Sequence, residues 1–303
     1  MAQDTDSYFD RRRLKRRLTF WRLAAIAALA ALAIVAFGQF DSFDRGDHVA
    51  IFDVDGIIVD DPRRDALLND VAEDPDAKAL IVRINSPGGT VVGGESLYLT
   101  LRDVAKRKPV VAVLRELATS AGYMAAISAD HIVARQSTIT GSIGVLLQTT
   151  DVTELLSKIG VKPEVIKSSP LKAQPNPMEK FSPEAREATE AVVKDMYEMF
   201  VSMVSLRRNF DGAKTRELAD GRIFTGRQAL INGLVDVLGG VKEARVWLES
   251  NKGVAKSLPL LRVALKKERD RLRDILEDVV GKTVFSERLR LDGLISLWHA
   301  NVK

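Results

Sequence analysis

The sequence predicts an α/β fold with a largely parallel β-sheet and flanking helices, preceded by one N-terminal transmembrane helix. Apolar runs rich in β-branched residues recur along the 303 residues, and each has the length of a buried strand. Segments with helical periodicity separate these runs, and alternating strands and helices are typical of parallel sheets. An uninterrupted apolar segment behind a basic arm predicts the membrane helix.

The N-terminal arm, residues 1–17, is basic, and residues 18–40 form the apolar segment, with Arg22 near its start. At 1.5 Å per residue this segment spans about 34 Å, enough for a hydrocarbon core of about 30 Å. Basic residues flank the cytoplasmic side of such segments, so we expect a single-pass protein of the bacterial inner membrane, with a cytoplasmic N-terminus and a domain in the periplasm or otherwise outside the cytoplasm. The alternative is a cleaved signal peptide, but Ala31-Leu32-Ala33 lies early in the apolar run for a cleavage site.

Behind the anchor, residues 45–250 are expected to form one globular domain. Its first elements, in chain order, are a strand at Val49–Val54, a helix at Pro62–Ala72, a strand at Ala79–Ile84, a helix at Glu95–Lys106, a strand at Pro109–Leu114, a helix after Ser120 and a strand from His131. Each strand is an apolar, β-branched run, and each helix fills the interval before the next strand.

Residues 168–182 are polar and proline-rich, which predicts a loop. Ser182-Pro183-Glu184 then has the pattern of a helix start, a cap followed by proline and an acidic residue. The helix that follows carries apolar residues at helical spacing, which fits either its own core or a subunit interface. Residues 251–303 are charged with apolar residues at helical spacing, and we expect an amphipathic helical extension that packs on the domain or on a neighbour.

Composition excludes two classes of protein. The chain has no cysteine, so it has no disulfides. Its net charge of +4 is concentrated in the N-terminal arm, where membrane topology explains it, so nucleic-acid binding is not expected. We expect no cofactor and no metal ion.

Ser120 is the candidate nucleophile. It lies between the apolar run ending at Leu114 and a run of small residues that reads as a helix. A serine at such a junction has its hydroxyl near helix N-terminal amides, which favour developing negative charge. The alternative is that Ser120 or Thr119 only caps the helix.

A glycine pair, Gly88 and Gly89, follows the preceding strand in Asn85-Ser86-Pro87-Gly88-Gly89. Paired glycines permit backbone conformations closed to other residues and leave amides free to bind an anion. A common strand-to-helix turn is the alternative. Together with Ser120 at the end of the next strand, the pair suggests a nucleophile and an oxyanion hole at one sheet edge.

The residues alone leave the identity of the general base open. His48 lies just after the membrane segment and His299 near the C-terminus. His131 has the position of a structural residue at the start of a strand, so the sequence does not favour a Ser-His-Asp triad. A lysine can act as base when burial lowers its pKa, because only the neutral amine accepts a proton. Lys167 and Lys172 both lie in a stretch of small and apolar residues.

Four motifs occur in order and carry a resemblance: the Asn85–Gly89 motif, Ser120-Ala121-Gly122-Tyr123, the segment 140–145 and the segment 219–227. Together they resemble the signal peptide peptidase A family, the S49-type serine peptidases, in their short single-domain form. The resemblance implies a fold similar to Clp protease and crotonase. It also implies a Ser-Lys dyad of Ser120 and Lys172, with the amides of Gly88 or Gly89 and of Ala121 as the oxyanion hole.

Two departures from the family pattern bear on the site. Ala121 replaces a common glycine but keeps its amide, and Ser169 stands where a glycine often precedes the lysine, which leaves Lys167 open as the base. The resemblance implies a membrane-anchored endopeptidase that degrades cleaved signal peptides and other hydrophobic segments. It also implies a homo-oligomeric ring in which Lys172 serves a neighbour's Ser120.

Two other functions compete with this interpretation. The segments 226–229 and 233–236 also resemble crotonase-type acyl-CoA enzymes, although an external domain would not meet coenzyme A. A non-catalytic membrane scaffold with a peptidase-like domain is the second alternative, and the presence of both Ser120 and Lys172 disfavours it.

Overall fold

The computed structural model describes residues 17–29, 46–264 and 294–297. Contacts divide the chain into two units, Met1–Gly46 and Asp47–Lys303. In the first unit, residues 17–29 form helix α1, and the rest of the predicted membrane segment 18–40 lies outside the described residues. Among the helices of the described residues, none has both the length and the apolar character to cross a membrane.

The second unit alternates strands and helices. The strands are β1 (His48–Asp55), β2 (Ala77–Ser86), β3 (Gly88–Thr90), β4 (Val110–Thr119), β5 (His131–Ala134), β6 (Ile139–Gly141), β7 (Leu146–Leu147), β8 (Ile223–Thr225), β9 (Val237–Leu238), β10 (Leu260–Val263) and β11 (Leu294–Leu297). The helices are α2 (Pro62–Glu73), α3 (Val91–Arg107), α4 (Ala121–Ala126), α5 (Thr153–Lys158), α6 (Pro183–Arg208), α7 (Gly212–Leu218), α8 (Gly226–Asn232) and α9 (Val241–Lys252).

The main sheet has the order β10-β1-β2-β4-β5-β9, and every neighbouring pair in it is parallel. β6 extends the sheet by pairing parallel with the last residues of β4, and β8 pairs antiparallel with β6. The parallel sheet predicted from the alternating pattern is therefore confirmed. Its carboxyl edge brings the ends of β2 and β4 together, since Ser86 pairs with Ala118.

Two apolar layers cover the sheet, because successive strand residues point to opposite faces. On β1, Ala50, Phe52 and Val54 belong to the larger core, to which α2, α3, α4 and α6 contribute. Val49 and Ile51 belong to the smaller core on the other face, where α9 packs. The nucleophile candidate lies on the side of the larger core.

Two predicted boundaries are wrong. α3 begins at Val91 instead of Glu95, and the Thr90 side chain caps it. Gly93 and Gly94 fit in its first turn because the helix passes close to Val59 and Ala121 there. β4 continues five residues past Leu114, across a charged pair that breaks the apolar pattern, because its end pairs with β6.

The helical interpretation of residues 251–303 is wrong in part. Residues 260–263 form β10, which pairs parallel with β1, and residues 294–297 form β11. An open sheet edge beside β1 offers a complete row of backbone partners, and this tertiary pairing outweighs helical spacing in a short segment. Residues 265–293, which carry most of the predicted helix, lie outside the described residues.

His131 opens β5 as the sequence predicts, and it is structural. Its ring stacks on Trp247 with centroids 4.7 Å apart and an interplanar angle of 7°. Nδ1 lies 3.5 Å from Oδ2 of Asp236, which also binds Arg208. Burial lowers the pKa of His131; the Asp236 carboxylate opposes this shift and Arg208 adds to it.

This shift predicts a stability that depends on pH. Unfolded, His131 has a pKa of about 6.5, so the unfolded chain binds more protons than the folded one as the pH falls through that value. The contribution of His131 to the free energy of unfolding should therefore be complete above about pH 6.5 and decline below it. Urea unfolding of wild type and His131→Gln across this range should show a smaller acid loss in the variant; equal losses would contradict this assignment.

Candidate active site

Ser120 occupies a strained turn between β4 and α4. Its φ of 56° and ψ of −120° lie in a region that side-chain-bearing residues rarely adopt. The turn is fixed because the Ser120 N–H donates to the Gly141 carbonyl at 2.9 Å and the Met124 N–H donates to the Ser120 carbonyl at 2.9 Å. Strain of this kind concentrates at functional sites, where the surrounding structure holds it in place.

The capping alternative for this position is wrong. Ser120 occupies the N-cap position of α4, but its side chain makes no capping hydrogen bond. The neighbouring Thr119 hydroxyl does not cap the helix either; it donates to the Pro87 carbonyl at 3.0 Å. That bond ties the end of β4 to the glycine segment that follows β2.

The glycine pair forms strand β3. The Gly88 N–H donates to Ser86 Oγ at 3.1 Å, and the Gly88 carbonyl accepts the Ile58 N–H at 2.9 Å. The Thr90 N–H donates to the Ile58 carbonyl at 2.9 Å. Since neighbouring residues of a strand direct their amides to opposite edges, the Gly89 N–H points away from Ile58. A Cβ at Gly89 would come within 1.7 Å of the Ile58 carbonyl oxygen, so only glycine fits there.

The helix that follows the nucleophile turn lies beside the glycine strand. α4 packs against β3 and the end of β2. A Cβ at Gly122 would lie 3.0 Å from the Ser86 carbonyl oxygen. A Cβ at Gly94 in α3 would lie 2.9 Å from the Cβ of Ala121. These close approaches fix the start of α4 against the end of β2 and against α3.

Ser86 is a site residue to which the sequence interpretation gave no role. It is fully buried, and its Oγ accepts the Gly88 N–H and donates to the Gly88 carbonyl at 3.2 Å. A local sequence pattern could have identified Ser86, because a serine followed two residues later by a turn glycine favours such a hydrogen bond from side chain to backbone. Ser86 thereby holds the Gly88 amide inside the loop.

Three polar side chains anchor α4 and the turn that follows it. The Tyr123 hydroxyl donates to the Leu234 carbonyl at 2.8 Å, and burial raises the pKa of this phenol, which keeps it a neutral donor. Arg207 donates to the carbonyls of Ile127 and Ala129 at 2.8 and 3.0 Å. Arg102 donates to the Ser128 carbonyl at 2.7 Å. The short helix is therefore fixed at both ends.

The two candidate lysines have different surroundings. Lys167 forms an ion pair with Glu179, whose carboxylate also accepts Gln174 at 2.6 Å and Asn176 at 3.3 Å. Lys172 is exposed in a turn, where its backbone N–H donates to the Ser169 carbonyl at 3.1 Å. Among the hydrogen bonds of the described residues, none joins Lys172 to Ser120.

The segment that carries both lysines has an unusual surface. Residues 151–182 contain no buried residue. Several large apolar side chains on this segment are exposed: Leu155, Ile159, Val161, Val165, Ile166, Leu171 and Met178. An apolar surface of this extent is typical of a protein contact.

Comparison with known proteins agrees with the motifs. The sequence profile of peptidase family S49 matches residues 102–255. A protein of Synechocystis sp. that is named as a candidate protease is 41% identical over 207 residues, which cover 68% of this chain and 75% of that protein. The chloroplastic serine protease SPPA of Arabidopsis thaliana is 32% identical over 232 residues, 75% of this chain and 34% of that protein.

A third relative, Protease 4 of Salmonella typhi, is 36% identical over 178 residues, 58% of this chain and 29% of that protein. This chain thus spans about a third of the two longer relatives and three quarters of the Synechocystis protein. The matched profile describes peptidases, which argues against the acyl-CoA alternative. The profile match, the order of the motifs and the parallel α/β sheet together place this chain in peptidase family S49.

Proposed function

We propose that this peptidase is a serine endopeptidase in which Ser120 is the nucleophile and Lys172 the general base. The observation that carries the proposal is the strained turn at Ser120, packed against the glycine strand β3 with its hydroxyl unused for helix capping. A nucleophile beside backbone amides at a sheet edge is the arrangement that acyl transfer requires.

The oxyanion hole is assigned to the amides of Gly89 and Ala121. The Gly88 amide is already engaged by Ser86 Oγ, whereas the Gly89 amide points to the opposite edge of β3. Ala121 directly follows the nucleophile, and Gly94 of α3 lies close against it. Two fixed amides stabilise the negative charge on the carbonyl oxygen as the tetrahedral intermediate forms.

Lys172 is the better base because Lys167 is held by Glu179. The Lys167 side chain is held in an ion pair with the Glu179 carboxylate, so it is committed to this contact within its own loop. Lys172 is exposed in the single chain, and its role as the base requires a surface that covers it, because burial favours the neutral amine that accepts a proton. The exposed apolar residues around it support a homo-oligomeric ring in which a second copy supplies that surface.

In the proposed reaction, Ser120 Oγ attacks the carbonyl carbon of the scissile bond while Lys172 takes its proton. The carbonyl oxygen becomes negative and is held by the Gly89 and Ala121 amides. The intermediate collapses to an acyl-enzyme, and Lys172 delivers the proton to the leaving amine. Water then repeats the sequence, which releases the new carboxylate and restores Ser120.

The substrate class is extended apolar peptide, with cleaved signal peptides as the proposed physiological case. β11 pairs with the edge of β3 that faces away from Ile58, so this edge accepts an extended segment as an added strand. Beside β7, a cavity of about 630 Å³ is lined by Leu146, Leu147, Phe181 and Val193 among others, and such walls suit apolar side chains. A relative from Enterococcus faecium carries the name of a signal peptide peptidase.

We further propose that residues 18–40 anchor the protein in a bacterial inner membrane, with the catalytic unit on the periplasmic side. The basic arm before this apolar segment supports that orientation. Such an anchor would hold the enzyme beside signal peptides that remain in the bilayer.

The proposal is tested with a serine-reactive phosphonate probe. The wild-type protein should be labelled covalently, and peptide mapping should place the label on Ser120, because only an activated serine reacts rapidly. Denatured protein is the control and should remain unlabelled. A native protein that neither reacts nor cleaves peptides would instead support the scaffold alternative.

A further inference from the structure

Glu179 lies at the centre of a group of polar side chains in the loop that carries Lys172. Its Oε2 forms an ion pair with Lys167 and accepts a hydrogen bond from the Gln174 side-chain nitrogen at 2.6 Å. Its Oε1 accepts a hydrogen bond from the Asn176 side-chain nitrogen at 3.3 Å. We call these four residues, Glu179 and its three donors, the Glu179 cluster. One carboxylate therefore joins donors from both sides of Lys172 along the chain.

The Glu179 cluster is the most buried part of this loop. The structure describes all of residues 164–180, and the partly buried residues among them are Pro175 and the four members of the cluster. The other residues of this range are exposed, including the apolar Ile166, Leu171 and Met178. Hydrogen bonds to an ionised group are stronger than those between neutral groups. The bonds to the Glu179 carboxylate therefore supply the contacts that hold this range in place of an apolar core.

Lys172 lies in a strained turn between the two sides of the cluster. Its N–H donates to the Ser169 carbonyl at 3.1 Å, and the next residue, Ala173, has a φ of 60°. A residue with a side chain adopts this left-handed conformation at a cost in free energy, and the conformation persists where neighbouring contacts fix it. Gln174 follows Ala173 directly, and its side chain is bound by Glu179. Glu179 therefore holds the chain two residues from Lys172.

From these contacts we infer that Glu179 is a positioning residue for Lys172: its carboxylate fixes the turn from which the Lys172 amine reaches the hydroxyl of Ser120. The inference rests on the proposed function, in which Lys172 is the general base. Lysine has a flexible stem of four carbons, so its amine keeps a defined place only where its backbone is firmly held. A displacement of about 1 Å at a reacting group costs about 10²-fold in rate. Glu179 acts through Lys172 and takes no proton in the reaction.

Removal of Glu179 should have a larger effect than removal of Lys167. The variant Lys167→Ala takes one of the donors from the cluster, whereas Glu179→Ala takes away the acceptor that all of them share. Steady-state kinetics of Glu179→Ala should show kcat lowered by about 10²-fold and KM nearly unchanged, because the base is displaced while the groove beside β3 is intact. Glu179→Gln keeps one acceptor oxygen and should regain part of kcat. Glu164→Ala is the matched control, since Glu164 is exposed in the same loop, and it should turn over as wild type does.

A second measurement separates positioning of the base from a general effect on the loop. If Glu179 acts through Lys172, Glu179→Ala should have no effect in a chain that already carries Lys172→Ala, because the group that it positions is absent. The readout is the slow residual labelling of Ser120 by the phosphonate probe in the single and double variants. Native mass measurement on the same samples shows whether the Glu179 variants assemble as wild type does.

A loss of rate that is confined to chains with an intact Lys172 supports the inference. Turnover of Glu179→Ala at the wild-type rate overturns it and leaves the proposed function standing. An equal loss with and without Lys172, or a loss of assembly in both Glu179 variants, also overturns it, since each shows that Glu179 only maintains the structure of the loop. If Lys172→Ala itself turns over at the wild-type rate, Lys172 is not the base, and the proposed function fails together with this inference.

Discussion

Ser120→Ala should lower the rate of peptide hydrolysis by about 10³-fold or more, because catalysis then depends only on binding and on the oxyanion amides. The fold should be unchanged. The Ser120 hydroxyl caps no helix, and the turn is held by its backbone bonds to Gly141 and Met124, which alanine retains. Steady-state kinetics and thermal unfolding of the same preparations measure the two effects.

Lys172→Ala should lower the rate by a similar factor, and Lys167→Ala is its matched control in the same loop. Loss of Lys167 removes one partner of Glu179 and leaves Gln174 and Asn176 as donors to it. The loop should therefore become less ordered, while most of the activity remains. If Lys167→Ala is the inactive protein and Lys172→Ala turns over at the wild-type rate, the base is Lys167.

Local patterns predicted the parallel sheet well. Apolar, β-branched runs marked β1, β2 and the start of β4, and Ser182-Pro183 marked the start of α6, where the Ser182 side chain accepts the Ala185 N–H. These elements follow from local chemistry, since a strand buried on both faces must be apolar and a helix start needs a cap.

Elements that depend on distant partners were not predictable in this way. The end of β4 carries Arg115 and Glu116 and is a strand because β6 pairs with it. β10 and β11 lie in the segment that was predicted to be helical, and they are strands because β1, β3 and β7 pair with them. Tertiary pairing decides such segments, and a single sequence does not contain it.

In the candidate site, too, some features follow from the local sequence and others depend on distant partners. Motifs identified Ser120, Ala121 and the glycine pair, because nucleophile turns and glycine strands have local signatures. The choice of Gly89 over Gly88 depends on Ile58, whose backbone engages one edge of β3. The difference between Lys167 and Lys172 likewise depends on Glu179. Both distinctions come from neighbours that no local pattern includes.

The exposed position of Lys172 leads to the second large effect, which concerns assembly. The segment 151–182 contains no buried residue and carries its apolar side chains on the surface, so a single chain leaves it without a core. If a second copy covers this segment, Lys172 is buried at the interface. Burial favours the neutral amine, which is the form that can accept a proton. One active site would then be built from two subunits.

Two inactive proteins should therefore complement each other. In a ring assembled from equal amounts of Ser120→Ala and Lys172→Ala, about one quarter of the interfaces would join an intact Ser120 to an intact Lys172 from the neighbour. Activity should return to about that fraction of wild type, because each neighbour is drawn from an equal mixture. The readout is peptide hydrolysis by rings that carry different tags on the two variants.

Purification through both tags and native mass measurement establish that the rings are mixed. The control is either variant assembled alone, which should stay inactive at every concentration. A dyad contained within one chain has no route to rescue, since neither variant carries both groups. Mixed rings of confirmed mass that remain as inactive as the single variants would therefore exclude the shared site, and the base would then have to reach Ser120 by a movement of residues 151–182 within the same chain.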